Sequence, residues 1–368
     1  MADSVSCRHS PMWHHSVHVV NFDVDKGHVL EGSWPPNMLS ATEAATLCFA
    51  AMPDSQPASG GLGEFSFVFR FICENSAEPA LWGFSFFRAR RESSQKRGVF
   101  QKSLVLLTPL PYFRLFRAAV ALLGDAYFRA GTSELEPALR QLRDWPPAAS
   151  SAPGSHALSL LESTLLLLTV PCETGPSYAL PCPPGSAPAA AQASDGDGDG
   201  GLNASLAGDG SGGLEGSDHG ASSGRGGGGG GGDGGDGGAL REARAAASLC
   251  ELGSTCWTLW QLMLMGESIV ILTPSPDQCT DLVVALPALI SPLPCMCDLR
   301  PYLTVHAPDW DLHLAGTGPP PGSGLLIGAT NPMLARAPPR WLSLLCLEPG
   351  EQHIGCSPAG SRGGGGGG

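Results

Sequence analysis

The stretch from Pro183 to Gly238 divides this chain in two. It holds 23 glycines, eight acidic residues and a single arginine, Arg225. A segment so poor in apolar side chains buries too little surface to offset the entropy of ordering its backbone. It is expected to be a disordered acidic insertion, so the fold must be assembled from the residues on either side. Such an excursion is tolerable, because the cost of closing a loop grows only logarithmically with its length. With 368 residues in all, the flanks suffice for about two domains at ~150 residues each. Six further glycines, Gly363 to Gly368, make 346–368 a disordered tail on the same reasoning.

Charge and patterning exclude several function classes. The net charge is −13, about half of it inside the insertion. Affinity for nucleic acid rests on clustered Lys and Arg, so no nucleic-acid partner is expected. No run approaches the ~18 apolar residues of a membrane span; the longest candidate, Leu158 to Val170, is broken by Ser159, Glu162, Ser163 and Thr164. Met1 to Ser10 is polar and lacks the apolar core of a secretory signal. The 12 cysteines are scattered, several in apolar segments (Cys48, Cys73, Cys250, Cys256). That is the pattern of reduced, buried thiols, and a cytoplasmic protein is expected.

The first flank alternates strand and helix signals. Ser16 to Val24 and His28 to Gly32 flank Asp25-Lys26-Gly27, a hairpin turn in which Gly supplies the positive φ. Ser40 and Glu43 form a capping box opening a helix to about Ala51. Glu64 to Ile72 is a strand. Leu81 to Arg91 and Val99 to Leu107 make a hairpin with a basic end. Tyr112 to Arg129 places Phe113, Phe116, Val120 and Leu123 on one helical face. Ser133 and Glu136 suggest a second capping box, for a helix to Arg143. Residues 13–145 thus read as an α+β lobe of about five strands, and 146–160 as a linker. The second lobe, 161–345, opens with a strand, Ser163 to Val170. After the insertion come a helix from about Leu240 to Met265, interrupted near Gly253, and a buried parallel strand, Ser268 to Thr273. A helix from Asp277 to Leu286 and strands at Tyr302–Val305 and Leu325–Gly328 complete it. This order suggests a doubly wound α/β sheet.

Few residues carry covalent chemistry. There is no GxxxxGK[ST] loop, and Gly322-Ser323-Gly324 precedes a strand instead of opening a helix, so no nucleotide cofactor is expected. Asp195-Gly196-Asp197-Gly198-Asp199 lacks the downstream Glu of a calcium loop. Cys295-Met296-Cys297 has no second pair to complete a zinc set. His14, His15 and His18 read as an exposed strand start. Asp309 and Asp311 sit in a polar loop that offers no opposed environments for acid and base. No catalytic, cofactor or metal residue is assigned. The basic hairpin stands out: Arg88, Arg90, Arg91, Lys96, Arg97 and Lys102 are six of the 21 Lys and Arg, within 15 residues. It is either a solvated tip with charges guarding a sheet edge, or a contact surface for an acidic protein or anionic membrane. Asp298, Arg300, Tyr302 and Asn331 lie where strands start and end; Asn331-Pro332 follows the strand ending at Gly328 and is either a ligand position beyond a strand's carboxyl end or simply a turn initiator.

Several blocks resemble a known family. Gly83-Phe84-Ser85-Phe86-Phe87-Arg88, Lys96 to Leu107, and Leu110-Pro111-Tyr112 are similar to the core of a DENN module, closest to the DENN domain-containing protein 6 subgroup. Leu259-Trp260-Gln261-Leu262, Gly266-Glu267, Thr273 to Pro276, Ile290 to Leu293, Asp298 to Tyr302 and Ile327 to Pro332 follow in the same order. The resemblance implies a longin-like N-terminal lobe, a linker, a doubly wound central lobe, and then a helical third region that this sequence lacks, as a truncated member would. It further implies guanine nucleotide exchange on a Rab-family small GTPase, peripheral association with recycling endosomes, and no cofactor. Arg88, Arg90, Arg91, Lys96, Arg97, Asp298, Arg300, Tyr302 and Asn331 become partner-contact candidates. The alternative is a non-catalytic trafficking scaffold that binds a GTPase or adaptor.

Overall fold

Four consecutive phenylalanines at alternate positions, Phe65, Phe67, Phe69 and Phe71, line one face of a strand whose other face carries Ser66, Val68 and Arg70. This strand belongs to a sheet covered on both faces. A computed structural model describes residues 13–54, 63–73, 80–93, 98–146, 154–169, 178–182, 253–308, 310, 314, 324–336, 343–348 and 351–356. All of them lie in one compact unit, so the contacts below are internal to it. The insertion, its Asp195–Asp199 run, Lys96, Arg97, Asp309, Asp311 and residues 240–252 fall outside the described residues.

The first sheet is antiparallel. Its strands are β1 (Ser16–Asp23), β2 (Gly27–Trp34), β3 (Gly63–Ile72), β4 (Ala80–Arg91) and β5 (Val99–Thr108), in the order β2-β1-β5-β4-β3. Val17, Val19, Val68, Trp82, Phe84, Leu104 and Leu106 pack beneath helices α2 (Phe113–Ala130) and α3 (Thr132–Arg143). The phenylalanine face packs on α1 (Ala41–Ala50) through Leu47 and Cys48, and also meets Cys279 and Tyr302 from the second half. The Ser40–Glu43 capping box forms, with both reciprocal hydrogen bonds. The one expected at Ser133 and Glu136 does not. Gly131, at φ +69°, turns the chain so that α3 starts one residue earlier, and the Ser133 hydroxyl donates to the Ala130 carbonyl at 2.7 Å.

Residues 154–160, expected within a linker, form strand β6 (Gly154–Leu160). It pairs with β7 (Ser163–Thr169), which pairs with β8 (Tyr178–Cys182), in a separate antiparallel sheet. Leu158, Leu160 and Leu165 join the core under α2 and α3. The Trp145 indole donates to the Ser159 carbonyl at 2.7 Å. Burial against the first sheet's helices therefore draws β7 away from the second sheet, where it was expected.

The second sheet contains β9 (Ile269–Leu272), β10 (Asp298–Arg300), β11 (Leu325–Ala329), β12 (Ser343–Glu348) and β13 (Glu351–Cys356), in the order β10-β11-β9-β12-β13. All neighbours are parallel except β12 and β13. Central β9 is buried along its whole length, as its continuous apolar run predicts. Helices α4 (Ser254–Met265) and α5 (Pro276–Ala285) cover one face, while Leu303, Leu314 and Leu334 pack on the other. Leu334 belongs to the single-turn helix α6 (Met333–Arg336). Two expectations change here. The strand predicted at Tyr302–Val305 is a loop, buried from Tyr302 to Thr304, and four residues earlier the more polar Asp298–Arg300 takes the edge position. Residues 346–348 and 351–356, expected in a disordered tail, are strands. No described helix is long and apolar enough to cross a membrane.

His18, expected on an exposed strand start, is buried in β1, and its Nε2 lies 2.7 Å from the Ser16 hydroxyl. Burial is the main cause that lowers His14 to about 4 and His18 to about 3. The unfolded chain protonates both near the ordinary value of about 6.5, whereas the folded chain does not. Stability is therefore complete above that value and falls as pH drops below it, by about 1.4 kcal/mol per pH unit per histidine. The fall ends near pH 4 for His14 and near pH 3 for His18. Urea titrations at pH 7, 6 and 5 should show this slope, and His18→Gln should reduce it; a flat profile contradicts the assignment.

Candidate functional site

The basic hairpin does not present one continuous cationic surface. Arg88 extends from β4 into carboxylates at 2.5 Å (Glu64) and 2.9 Å (Asp125), with its guanidinium 4.4 Å above the Phe128 ring. Its cross-strand neighbour Lys102 pairs with Glu31 at 2.6 Å. Both side chains are nearly covered, at 15% and 12% exposure. Arg90 is exposed and only 3.7 Å from Glu92, and Arg91 is exposed. Arg88→Ala is thus expected to cost about 1 kcal/mol of stability through lost ion pairs and ring packing, measured by urea unfolding. Arg90→Ala/Arg91→Ala should leave the urea midpoint unchanged. Equal midpoints for Arg88→Ala and the double variant would argue against the packed role of Arg88.

The strand-end candidates separate in the same way. Tyr302 is 1% exposed and lies among Phe67 and its neighbours. Its hydroxyl accepts from the Asp54 amide at 2.9 Å and lies 3.1 Å from the Thr330 hydroxyl. Burial raises its pKa strongly, with the Asp54 charge adding to the effect. It joins the two sheets and offers no surface to a partner. The Asn331 carboxamide oxygen accepts from the Met333 amide at 3.0 Å, an Asx turn at the start of α6.

Asp298 and Arg300 form an ion pair in which only the carboxylate is exposed. The Asp298 carboxylate accepts from the Arg300 guanidinium at 3.0 Å, and the side chains are 37% and 13% exposed. Between them Leu299 packs against the first-sheet cluster that holds Val68 and Trp82. This places β10 beside the edge strand β3, and it exposes a residue that sequence reasoning missed. Arg70 of β3 lies over the ring of its cross-strand partner Trp82, 4.0 Å from the centroid. Burial lowers the Arg70 pKa, and the neighbouring Arg300 charge lowers it further, against the pull of Asp298. Only the strand register reveals the Arg70–Trp82 pair, because 12 positions separate them in sequence.

A cavity of about 260 Å³ opens where the first sheet meets the loop after β10, lined by Phe22, His28, Phe49, Asp54, Gln101 and His306, among others. The Phe49 ring sits between the two imidazoles, 4.9 Å from each. Asp54 accepts from the Val305 amide at 2.7 Å, and burial raises its pKa against that bond. Burial lowers His28, and the nearby His306 adds to the shift. Cys295 and Cys297 are free thiols. A hydrogen bond from Cys297 lowers Cys295 to about 6, while Cys297 is raised. Among the described residues, no three His, Cys, Asp or Glu side chains converge as metal ligands would. The arrangement is suited to binding through charge and aromatic surface.

No protein-family model matches the chain. Curated proteins do. The chain is 27% identical over 352 residues to Protein DENND6A of Gallus gallus, covering 89% of this chain and 52% of that protein. It is 28% identical over 365 residues to Protein DENND6B of Homo sapiens, covering 90% and 53%. It is 28% identical over 375 residues to the Protein DENND6 homolog of Dictyostelium discoideum, covering 93% and 50%. The chain spans about half the length of the curated relatives it matches. The chain is thus similar to DENND6 proteins along about nine-tenths of its length.

Proposed function

We propose that the chain acts as a guanine nucleotide exchange factor for a Rab-family small GTPase. The supporting observation is the resemblance to DENND6 proteins, which runs through nine-tenths of the chain. The longin-like character of the first lobe and the doubly wound character of the second belong to this reading. Such a factor forms no covalent bond. It binds the nucleotide-free GTPase more tightly than the loaded one, and by mass action this differential lowers the barrier to GDP release. Asp298, with Arg90 and Arg91 on the hairpin, supplies the exposed charges for contact. The site of action under this proposal is the cytosolic face of endosomal membranes, reached by peripheral association.

Release of mant-GDP measured over a panel of Rab GTPases tests the reading. Acceleration of one or a few members is the expected result. Measurable binding of a GTPase without acceleration would establish the other class of function, a non-catalytic scaffold. Failure to bind any member would remove both.

A further inference from the structure

Cys295 and Cys297 stand in the loop between the short 3-10 helix Leu286–Ile290 and β10, with Met296 between them 78% exposed. Both residues are half-buried, and their thiols are hydrogen-bonded to each other, Cys297 donating. Residues 291–294, on the side of Cys295 away from the sheet, are exposed, so solvent reaches the pair. Cys297 is the anchored member. Its sulfur would lie 3.1 Å from a Cβ built on Gly324, and the next residue, Asp298, donates its amide to the Gly324 carbonyl at 2.9 Å. Two residues of chain span at most about 7 Å, and a disulfide accepts Cα separations of about 4.4–6.8 Å. Spacing and contact together place the two sulfurs within reach of one bond. The donated S–H also favours Cys295 as the thiolate, well below the ordinary thiol value near 8.5. Cys48 and Cys279 are the contrast: both are buried, and burial pushes their thiols up to about 11 and about 12.

We propose that Cys295 and Cys297 are a peroxide-reactive dithiol, in which Cys295 attacks, Cys297 resolves, and the pair closes to a disulfide. This goes beyond the exchange-factor reading and does not depend on it. The Cys295 thiolate attacks one oxygen of hydrogen peroxide. An S–O bond forms, the O–O bond breaks, and the departing hydroxide takes a proton from solvent to become water. The product is a sulfenic acid. Cys297 then attacks that sulfur, loses its proton, and expels the hydroxyl as a second water. Two thiols, counting the proton Cys295 had already given to solvent, are oxidised to one S–S bond, and one peroxide is reduced to two waters. Hydrogen peroxide suits the site because it is small and uncharged and reaches a half-buried sulfur. A bulky anionic oxidant such as glutathione disulfide would approach a chain of net charge −13. Closure leaves the second sheet intact, because Cys297 is fixed against Gly324 and the exposed residues 291–294 absorb the movement of Cys295. Among the described residues no third ligand completes a metal set with the pair.

Two measurements on the full chain test this. In the first, the reduced, chelator-treated protein is exposed to hydrogen peroxide, its remaining thiols are alkylated, and the peptide spanning both cysteines is read by tandem mass spectrometry. The expected product lacks alkylation at Cys295 and Cys297, is two hydrogens lighter than the dithiol, and returns to it with dithiothreitol. In the second, dimedone traps the sulfenic acid in variants that cannot close the disulfide. Cys297→Ser keeps a hydroxyl donor beside Cys295, whereas Cys297→Ala removes it. At pH 6 the Cys295 adduct should form about tenfold faster in Cys297→Ser than in Cys297→Ala, since the larger thiolate fraction outweighs its lower nucleophilicity. Cys295→Ser should give no disulfide at Cys297. Full alkylation of both cysteines in the peroxide-treated wild type overturns the proposal, as does a disulfide from either one to a different cysteine. Equal adduct rates in Cys297→Ser and Cys297→Ala overturn the assignment of Cys295 as the attacking thiol.

Discussion

Arg117→Ala is expected to lower the stability of the chain by about 3–5 kcal/mol, the range for breaking a buried ion pair on one side only. Arg117 reaches from α2 to three groups on two other elements. It donates to the Ser66 carbonyl on β3 at 3.0 Å and pairs with the Asp281 carboxylate on α5. Next to it the Thr280 hydroxyl accepts from the Val68 amide at 3.0 Å. Strand β3 is an edge, with backbone groups that would otherwise be left open. The arginine and the threonine close that edge and join the two sheets. Both partners of the ion pair are nearly covered, at 12% and 7% exposure. The second Asp281 oxygen is buried without a hydrogen-bond partner, so removal of Arg117 leaves a carboxylate with no compensation. Two transitions in urea should replace one, as the sheets lose their common clamp. Arg117→Met/Asp281→Leu distinguishes charge from shape, because an apolar pair of similar volume is often neutral or stabilising. A single substitution costing under about 1 kcal/mol, the value of an exposed pair, would refute the assignment.

That clamp was not legible in the sequence, for a simple reason. Arg117 and Asp281 lie 164 positions apart, and each reads locally as one more charge on a helix. What was legible is what short periods encode. The alternation in Glu64 to Ile72, the hairpin from Leu81 to Leu107, the stripe on Tyr112 to Arg129 and the apolar run at Ile269 all specify their elements without help from elsewhere. Where the pattern is short or its partner distant, tertiary context decided. Asp298-Leu299-Arg300 has one apolar residue between two charges, too few positions to establish a period, yet it takes a strand's place because β11 offers a free edge. Tyr302 to Thr304 is more apolar and lost that place to it, because its side chains fill the space between the sheets. Ser40 and Ser133 carry the same capping pattern. Only the first forms the cap, since Gly131 shifted the start of the other helix. The candidate contact residues follow the same division. Exposed charges were identifiable, but their number was overestimated, because Arg88 and Lys102 spend their charge on Glu64, Asp125 and Glu31. Arg70 was overlooked, since its meaning lies in the register that sets it across from Trp82.

Gly328→Val should be the most damaging single substitution in the second sheet, with a loss of about 3 kcal/mol, the upper part of the range for overpacking a core. Gly328 sits in β11, buried, one residue before the strand ends at Ala329. A Cβ built there would strike the Pro301 carbonyl oxygen and lie 2.7 Å from the Cβ of Cys279. These obstacles cannot rotate away. One is backbone, and the other is the root of a fully buried side chain on α5. The same carbonyl-to-amide geometry shows why the approach is so close: the Leu303 amide donates to the Gly328 carbonyl at 2.8 Å, so the loop after β10 lies directly on this strand. Relief requires β11 to move away from that loop, which pulls Thr330 from the Tyr302 hydroxyl and loosens the contact with Asp54. Gly328→Ala, smaller but with the same Cβ, should cost about 2 kcal/mol. Urea midpoints give the losses, and amide exchange should quicken first at Leu303 and Val305, whose N–H groups depend on this junction. Wild-type stability in Gly328→Ala would mean that the loop can withdraw freely, and the tight seating of the second sheet on the first would then be wrong.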